Sequence, residues 1–153
     1  MTLGSASGAV VSAMVLATLV SGLILLKLLR TDDVSGKLLT TGTAVCGGTA
    51  VATLAPVIKA ENQQVAQTLT IIFVLNGIAI ILFPAIGHTM DLSQQQFGMW
   101  AAIAIHDTSS VVGAAAAYGD EALTTATTLK ILRILWLIPV IIVASYSMKR
   151  ISA

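Results

Sequence analysis

The chain has 153 residues, 56% of them hydrophobic and only 10% charged, with a mean hydropathy of +0.93. A soluble domain carries about 25% charged residues, and a formal net charge of +1 offers neither a nucleic-acid surface nor a polybasic membrane patch. Cys46 is the lone cysteine, which excludes an internal disulfide and a cysteine metal cluster.

The charges fall in a few places. Met1 to Leu26, Leu38 to Ile58 and Asn62 to Gly87 contain none. Crossing about 30 Å of hydrocarbon takes about 20 helical residues, so each run is long enough to span and the chain reads as an integral membrane protein. The first run lacks the basic n-region of a signal peptide and exceeds its apolar stretch of about 7–15 residues.

Taken in order, the pattern predicts an all-α polytopic transmembrane helix bundle, a single domain over 1–153 with about five membrane segments, two of them broken or re-entrant. Segment one covers about Gly8 to Leu29 and is followed by a polar loop from Thr31 to Lys37. Segment two, about Leu38 to Ile58, packs three glycines and four threonines into Thr40–Thr49 and stops at Pro56 and Lys59. Segment three, about Val65 to Ile86, is a richer apolar helix with Asn76 and Gly77 at its middle. A polar loop holding His88 and Asp91 leads to segment four, about Phe97 to Tyr118, and segment five runs from about Ala122 to Met148. If all five cross, Lys27, Arg30, Lys37, Lys149 and Arg150 lie on one side against Lys59, Lys130 and Arg133. Since cytoplasmic loops carry the excess of Lys and Arg, that bias puts the N-terminus outside and the C-terminus in the cytoplasm.

Segments two and four carry the candidate chemistry. Irregular backbone in a bilayer survives only where protein buries it or it lines a watery cavity, and paired Gly-interrupted segments point to a transporter's binding site. The competing reading of Gly47-Gly48 is close packing of small residues. In segment four, His106 and Asp107 have 14 uncharged residues before them, back to Leu92, and 12 after, to Gly119. An Asp at such depth costs about 3 kcal/mol on insertion scales and is a functional-site hypothesis by default; the alternative is a structural polar pair. Asp107-Thr108-Ser109-Ser110 also suits a helix start, because these side chains cap free N–H groups. A half-helix beginning there would offer an anion its N–H donors, and Thr49 could cap a matching start in segment two. Lys130 and Arg133 share a helix face. They either snorkel to an interface or face inward as countercharges for Asp107 or an anionic solute. Asn76 reads as interhelical glue or as a ligand. Lys59, Glu61, His88, Cys46, Trp100 and Trp136 read as solvated, packing or anchoring residues, and no metal-ligating constellation emerges.

At these residues the chain resembles a family of bacterial multi-spanning membrane proteins assigned as sulfate exporters. The likeness lies in Thr41–Gly48, in Ala55–Ala60, in Ala104–Val112 and in Leu129-Lys130-Ile131-Leu132-Arg133. It implies an inverted-repeat transporter related to sodium–proton antiporter and bile-acid symporter folds, in the bacterial cytoplasmic (inner) membrane, with sulfate or organic sulfonates as solutes. Members of that family are longer, so the chain looks like the central part of one. Parity poses a difficulty: with one span between them, segments two and four run in the same direction if everything crosses, and an inverted pair requires one to be re-entrant.

The leading expectation is thus an anion transporter, or part of one. Its candidate site comprises Thr43, Cys46, Gly47, Gly48, Thr49, His106, Asp107, Thr108, Ser109, Ser110, Lys130 and Arg133. The expected partners are the lipid bilayer, a small anionic solute, and a second copy or the remainder of a longer protein; no nucleic acid, cofactor or metal is expected. The alternatives are a membrane scaffold or truncated fragment, and an intramembrane enzyme with His106 as base beside Ser109 or Ser110.

Overall fold

The computed structural model describes residues 3–30 and 32–151, and the side chains of 8–30 and 32–147. Every regular element among them is helical: α1 (Leu3–Leu29), α2 (Asp33–Ala44), α3 (Gly48–Val57), α4 (Asn62–Thr89), α5 (Gln94–Ala104), α6 (Thr108–Tyr118), α7 (Asp120–Ile134) and α8 (Leu137–Ile151). Three stretches are long and apolar enough to cross a membrane: Gly8–Leu29, Asn62–Thr89 and Asp120–Ser147. The last passes a turn at residues 135–136, so segment five is two helices.

Burial runs opposite to that of a soluble protein. Leu28 is 75% exposed, Ile81 74% and Val143 64%, whereas Lys130 is fully buried. Hydrocarbon outside gives apolar side chains no reason to hide, so interfaces are built from small residues that let backbones approach. Ala44, Ala50, Ala101, Ala102, Ala114, Ala115, Ala122 and Ala126 are all completely buried. This is an all-α membrane helix bundle.

The two expected breaks are real, and each turns the chain back on itself. Gly42 lies against Val51 across the first break, and Leu38, Val51 and Leu54 share one buried cluster, so α3 returns antiparallel to α2. At the second break the Phe97 and Tyr118 rings stack with centroids 3.8 Å apart, and the Tyr118 hydroxyl donates to the Leu92 carbonyl at 2.6 Å. The start of α5 therefore meets the end of α6. Segments two and four are helical hairpins rather than continuous spans. Each arm holds 10 to 12 residues, or roughly 15–18 Å, half of the hydrocarbon depth of about 30 Å.

The hairpins enter from opposite ends of α4. Gln64, in the first turn of α4, donates to Asp32 ahead of α2 at 2.8 Å. At the far end Gly87 packs against Phe97 and Tyr118, and the Gln94 amide oxygen accepts the Glu121 N–H at 2.9 Å. Lys27, Arg30, Lys37 and Lys59 thus lie with Asp32, Asp33 and Glu61 at one end, whereas Asp91, Asp120 and Glu121 lie at the other, where no Lys or Arg is found among the described residues. Lys59 joins the other cations because the hairpin returns; the side chains of Lys149 and Arg150 fall outside the described set.

Local signals set the helix starts. Asp32 caps α2 by accepting the Ser35 N–H at 2.8 Å, and that backbone bond holds its carboxyl below the ordinary value. Thus α2 begins at Asp33, five residues before the expected segment, and much of the anticipated polar loop is helix; Thr31 lies outside the described residues. Capping boxes, Glu61 with Gln64 and Ser93 with Gln96, start α4 and α5, which is why both begin about three residues earlier than the hydropathy suggests. His88, expected in a loop, sits in the last turn of α4 and stacks on Tyr118.

Candidate functional site

The two hairpin tips meet beside the middle of α4. Gly47 occupies φ 67°, and a Cβ there would lie 3.1 Å from Asp107 Cα and 3.2 Å from its Cβ. A side chain would therefore be both strained and crowded. Opposite, Ile105 and Asp107 are extended, at ψ 127° and 141°, and this reverses the chain before α6 begins.

Asp107 caps α6. Its Oδ2 accepts the Ser109 N–H at 3.0 Å and the Ser110 N–H at 3.3 Å, along with the Ser109 hydroxyl and, at 3.4 Å, the Ser110 hydroxyl. The carboxylate is thereby bound to the positive end of its own helix. The expected start of α3 needs correction. Gly47, not Thr49, is the N-cap, and no side chain caps this helix; Thr49 is exposed. The cause is the left-handed backbone at Gly47, which ends the turn two residues before the threonine.

Asn76 joins the tips to α4. It is 2% exposed, and its Oδ1 accepts the N–H groups of His106 at 3.0 Å and Asp107 at 3.4 Å. The His106 Nδ1 bonds the Thr43 carbonyl at 3.1 Å. A carbonyl only accepts, so Nδ1 carries the proton in this contact and the ring bridges the two hairpins.

The largest departure from expectation concerns the two cations of α7. Lys130 Nζ donates to the carbonyls of Ile105 at 3.0 Å and His106 at 2.5 Å. Arg133 divides its fork: Nη1 donates to Ala102 at 2.8 Å and Ile103 at 3.0 Å, and Nη2 to Thr43 and Ala44, both at 2.9 Å. These carbonyls end α2 and α5, where a helix leaves its last acceptors free and carries about half a negative charge. The cations neither snorkel nor pair with Asp107, because carbonyls of both hairpins lie closer to their helix face than either the interface or the carboxylate. Among the described residues the one ion pair is Lys37 with Asp33, at the surface.

The structure thus brings Thr43, Gly47, His106, Asp107, Lys130 and Arg133 together. Thr108 opens α6 beside them, and Gly48 packs on Phe73 and Leu69. Cys46 is buried with Val11 and Val15 of α1, and Thr49 and Ser109 are exposed. Asn76 is more central than its place in the sequence suggests; a polar amide in mid-helix is the one signal that marks it. Two buried polar atoms lack a partner among the described residues, Asn76 Nδ2 and Arg133 Nε.

Exposed apolar helices, small-residue interfaces and half-helices that meet beside the middle of α4 define the class: an all-α membrane helix bundle with two broken segments. The chain belongs to the family described as Conserved hypothetical protein 698, whose profile matches residues 1–153. It is 53% identical over 131 residues to a UPF0324 membrane protein of Shewanella oneidensis, covering 86% of this chain and 42% of that protein. It is 51% identical over 138 residues to UPF0324 membrane protein VP0936 of Vibrio parahaemolyticus, covering 90% and 44%, and 52% identical over 123 residues to a UPF0324 membrane protein of Bacteroides thetaiotaomicron, covering 80% and 37%. The chain therefore spans about two fifths of the length of these relatives. No solved structure matches it.

Proposed function

We propose that the chain forms the core of a transporter for a small anion, sulfate or an organic sulfonate, with its site where the hairpin tips meet. The observation that carries this reading is the contact of Gly47 with Asp107 at mid-depth. Broken backbone there is costly unless it has protein or a cavity around it, and half-helix termini at the midplane are a transporter's means of holding charged solutes. The glycine N-cap of α3, which brings no side chain to the first N–H groups, supports the anionic choice. Opposed hairpins also remove the parity difficulty, since they enter from opposite ends.

The chain is read as a multi-pass protein of the bacterial cytoplasmic membrane. The cation-bearing end faces the cytoplasm, by the excess of Lys and Arg on that side. It is read as non-enzymatic: the Ser109 and Ser110 hydroxyls bond Asp107 while His106 bonds Thr43, and no histidine–serine hydrogen bond occurs among the described residues. A second copy or the additional length seen in the relatives is the proposed protein partner.

The test is flux of radiolabelled sulfate and of a small alkyl sulfonate in proteoliposomes, run with this chain and with the full-length Shewanella relative. Saturable movement, lowered at least tenfold by Asp107→Asn, is expected. If neither protein moves either anion, and the substitution changes nothing, the transporter reading is wrong.

A further inference from the structure

The backbone carbonyls at the two breaks have a use in transport that this chain has already filled. In transporters with broken helices, unwound carbonyls and half-helix C-termini coordinate the coupling sodium ion, and a hard cation requires several oxygens around it. Here six such oxygens lie at the ends of two hairpins: those of Ile105 and His106 face Lys130, and those of Thr43, Ala44, Ala102 and Ile103 face Arg133. All six accept N–H groups of Lys130 or Arg133, at 2.5–3.0 Å. Neither cation has a carboxylate partner among the described residues, so their charges are met by the helix C-termini themselves. An ammonium is a compact point charge on a flexible stem, close in kind to a monovalent ion. The guanidinium is a planar fork that fixes four carbonyls from two different hairpins.

We propose that Lys130 is a tethered cation in the place a coupling sodium ion would take. Arg133 is the positioning residue that holds the two carbonyl sets in register. The consequence, which rests on the transporter reading above, is that solute movement through this scaffold is independent of sodium. The occupancy of the place does not rest on that reading.

The experiment follows thermal unfolding of the detergent-solubilised chain by tryptophan fluorescence, in sodium chloride and in choline chloride of equal concentration. The wild-type chain is expected to show the same Tm in both. Lys130→Ala, which opens the place and leaves the Ile105 and His106 carbonyls bare, is expected to unfold at lower temperature in choline. Sodium should then raise its Tm by several degrees in a saturable way, as a ligand of the folded state does. Lys130→Met, which fills the space with an apolar chain, is expected to stay low in both salts. A sodium-dependent Tm in the wild type, or no sodium response in Lys130→Ala, overturns the proposal. Should Lys130→Ala fail to survive extraction in choline, the yield of folded protein extracted in each salt becomes the readout, and equal yields overturn it. In the flux assay, anion movement that vanishes when choline replaces sodium also overturns it. Absence of any movement sinks only the transporter reading, because the unfolding result stands without it.

Discussion

Asn76 does most of its work through one atom. Its Oδ1 accepts two backbone N–H groups at the reversal of the second hairpin, donors that have no helix of their own to bond. Replacing Asn76 by Leu leaves both N–H groups bare in a dry interior, which costs about 1–3 kcal/mol per unsatisfied group. Replacing it by Asp keeps the acceptor and exchanges the unpartnered Nδ2 for the second oxygen of a buried acid. Asn76→Leu is therefore expected to unfold much more readily than Asn76→Asp, as measured by denaturant titration in detergent. Equal losses would mean that the residue acts through volume or lost neutrality rather than through its oxygen. His106, by contrast, offers a ring nitrogen to Thr43 of the other hairpin, so it links elements rather than satisfying a single turn.

At the scale of elements, the hairpin reversals decide the architecture, and Gly47 is the tightest point. Its positive φ, and the 3.1 Å that would separate an added Cβ from Asp107 Cα, predict that Gly47→Ala costs about 1–3 kcal/mol, the range for a side chain forced into a sparsely populated backbone region. Gly77, in mid-α4, is the control, because nothing lies within 4 Å of a Cβ there. Gly77→Ala is expected to be neutral or stabilising by up to about 1 kcal/mol, as for alanine replacing glycine inside a helix. Comparison of the two Tm values checks this, and similar values for both would show that the tips do not meet under strain. The helix starts at this scale follow from neighbours a few residues away: Asp32 for α2, Ser93 for α5 and Asp107 for α6.

For the whole molecule, the opposed hairpins sort the surface charges by end. Lys59 and Asp91 flank α4 at opposite ends, both exposed. In a Cys46→Ala background, a membrane-impermeant maleimide applied to intact cells is expected to label Asp91→Cys and to leave Lys59→Cys unlabelled until the cells are opened. Reversed labelling would invert the orientation, and labelling of both from one side would contradict the opposed hairpins. The same sorting shows why a count taken over five full crossings is misleading. It places Lys59 on the wrong side and counts Lys130 and Arg133, which are buried against carbonyls.

Much of the fold is legible in the sequence, and for a physical reason: hydropathy, capping and glycine preference are local. The long neutral runs, the helix break at Asp107-Thr108-Ser109-Ser110 and the glycine-rich break in segment two all follow from neighbours within a few positions. The sequence by itself therefore determined a membrane helix bundle with two interrupted segments. Direction after each break was not legible, because a hairpin of two 11-residue arms, α5 and α6, has the same composition as one continuous span. It is decided by the dihedral angles of a few residues and by packing across the break. The partners of Lys130 and Arg133 were equally hidden. Arg133 reaches Thr43 and Ala44 some 90 residues away, and it binds their backbone oxygens, which every residue possesses and no side-chain pattern marks. The tertiary structure alone turned two apparent countercharges into the caps that hold the hairpin tips together.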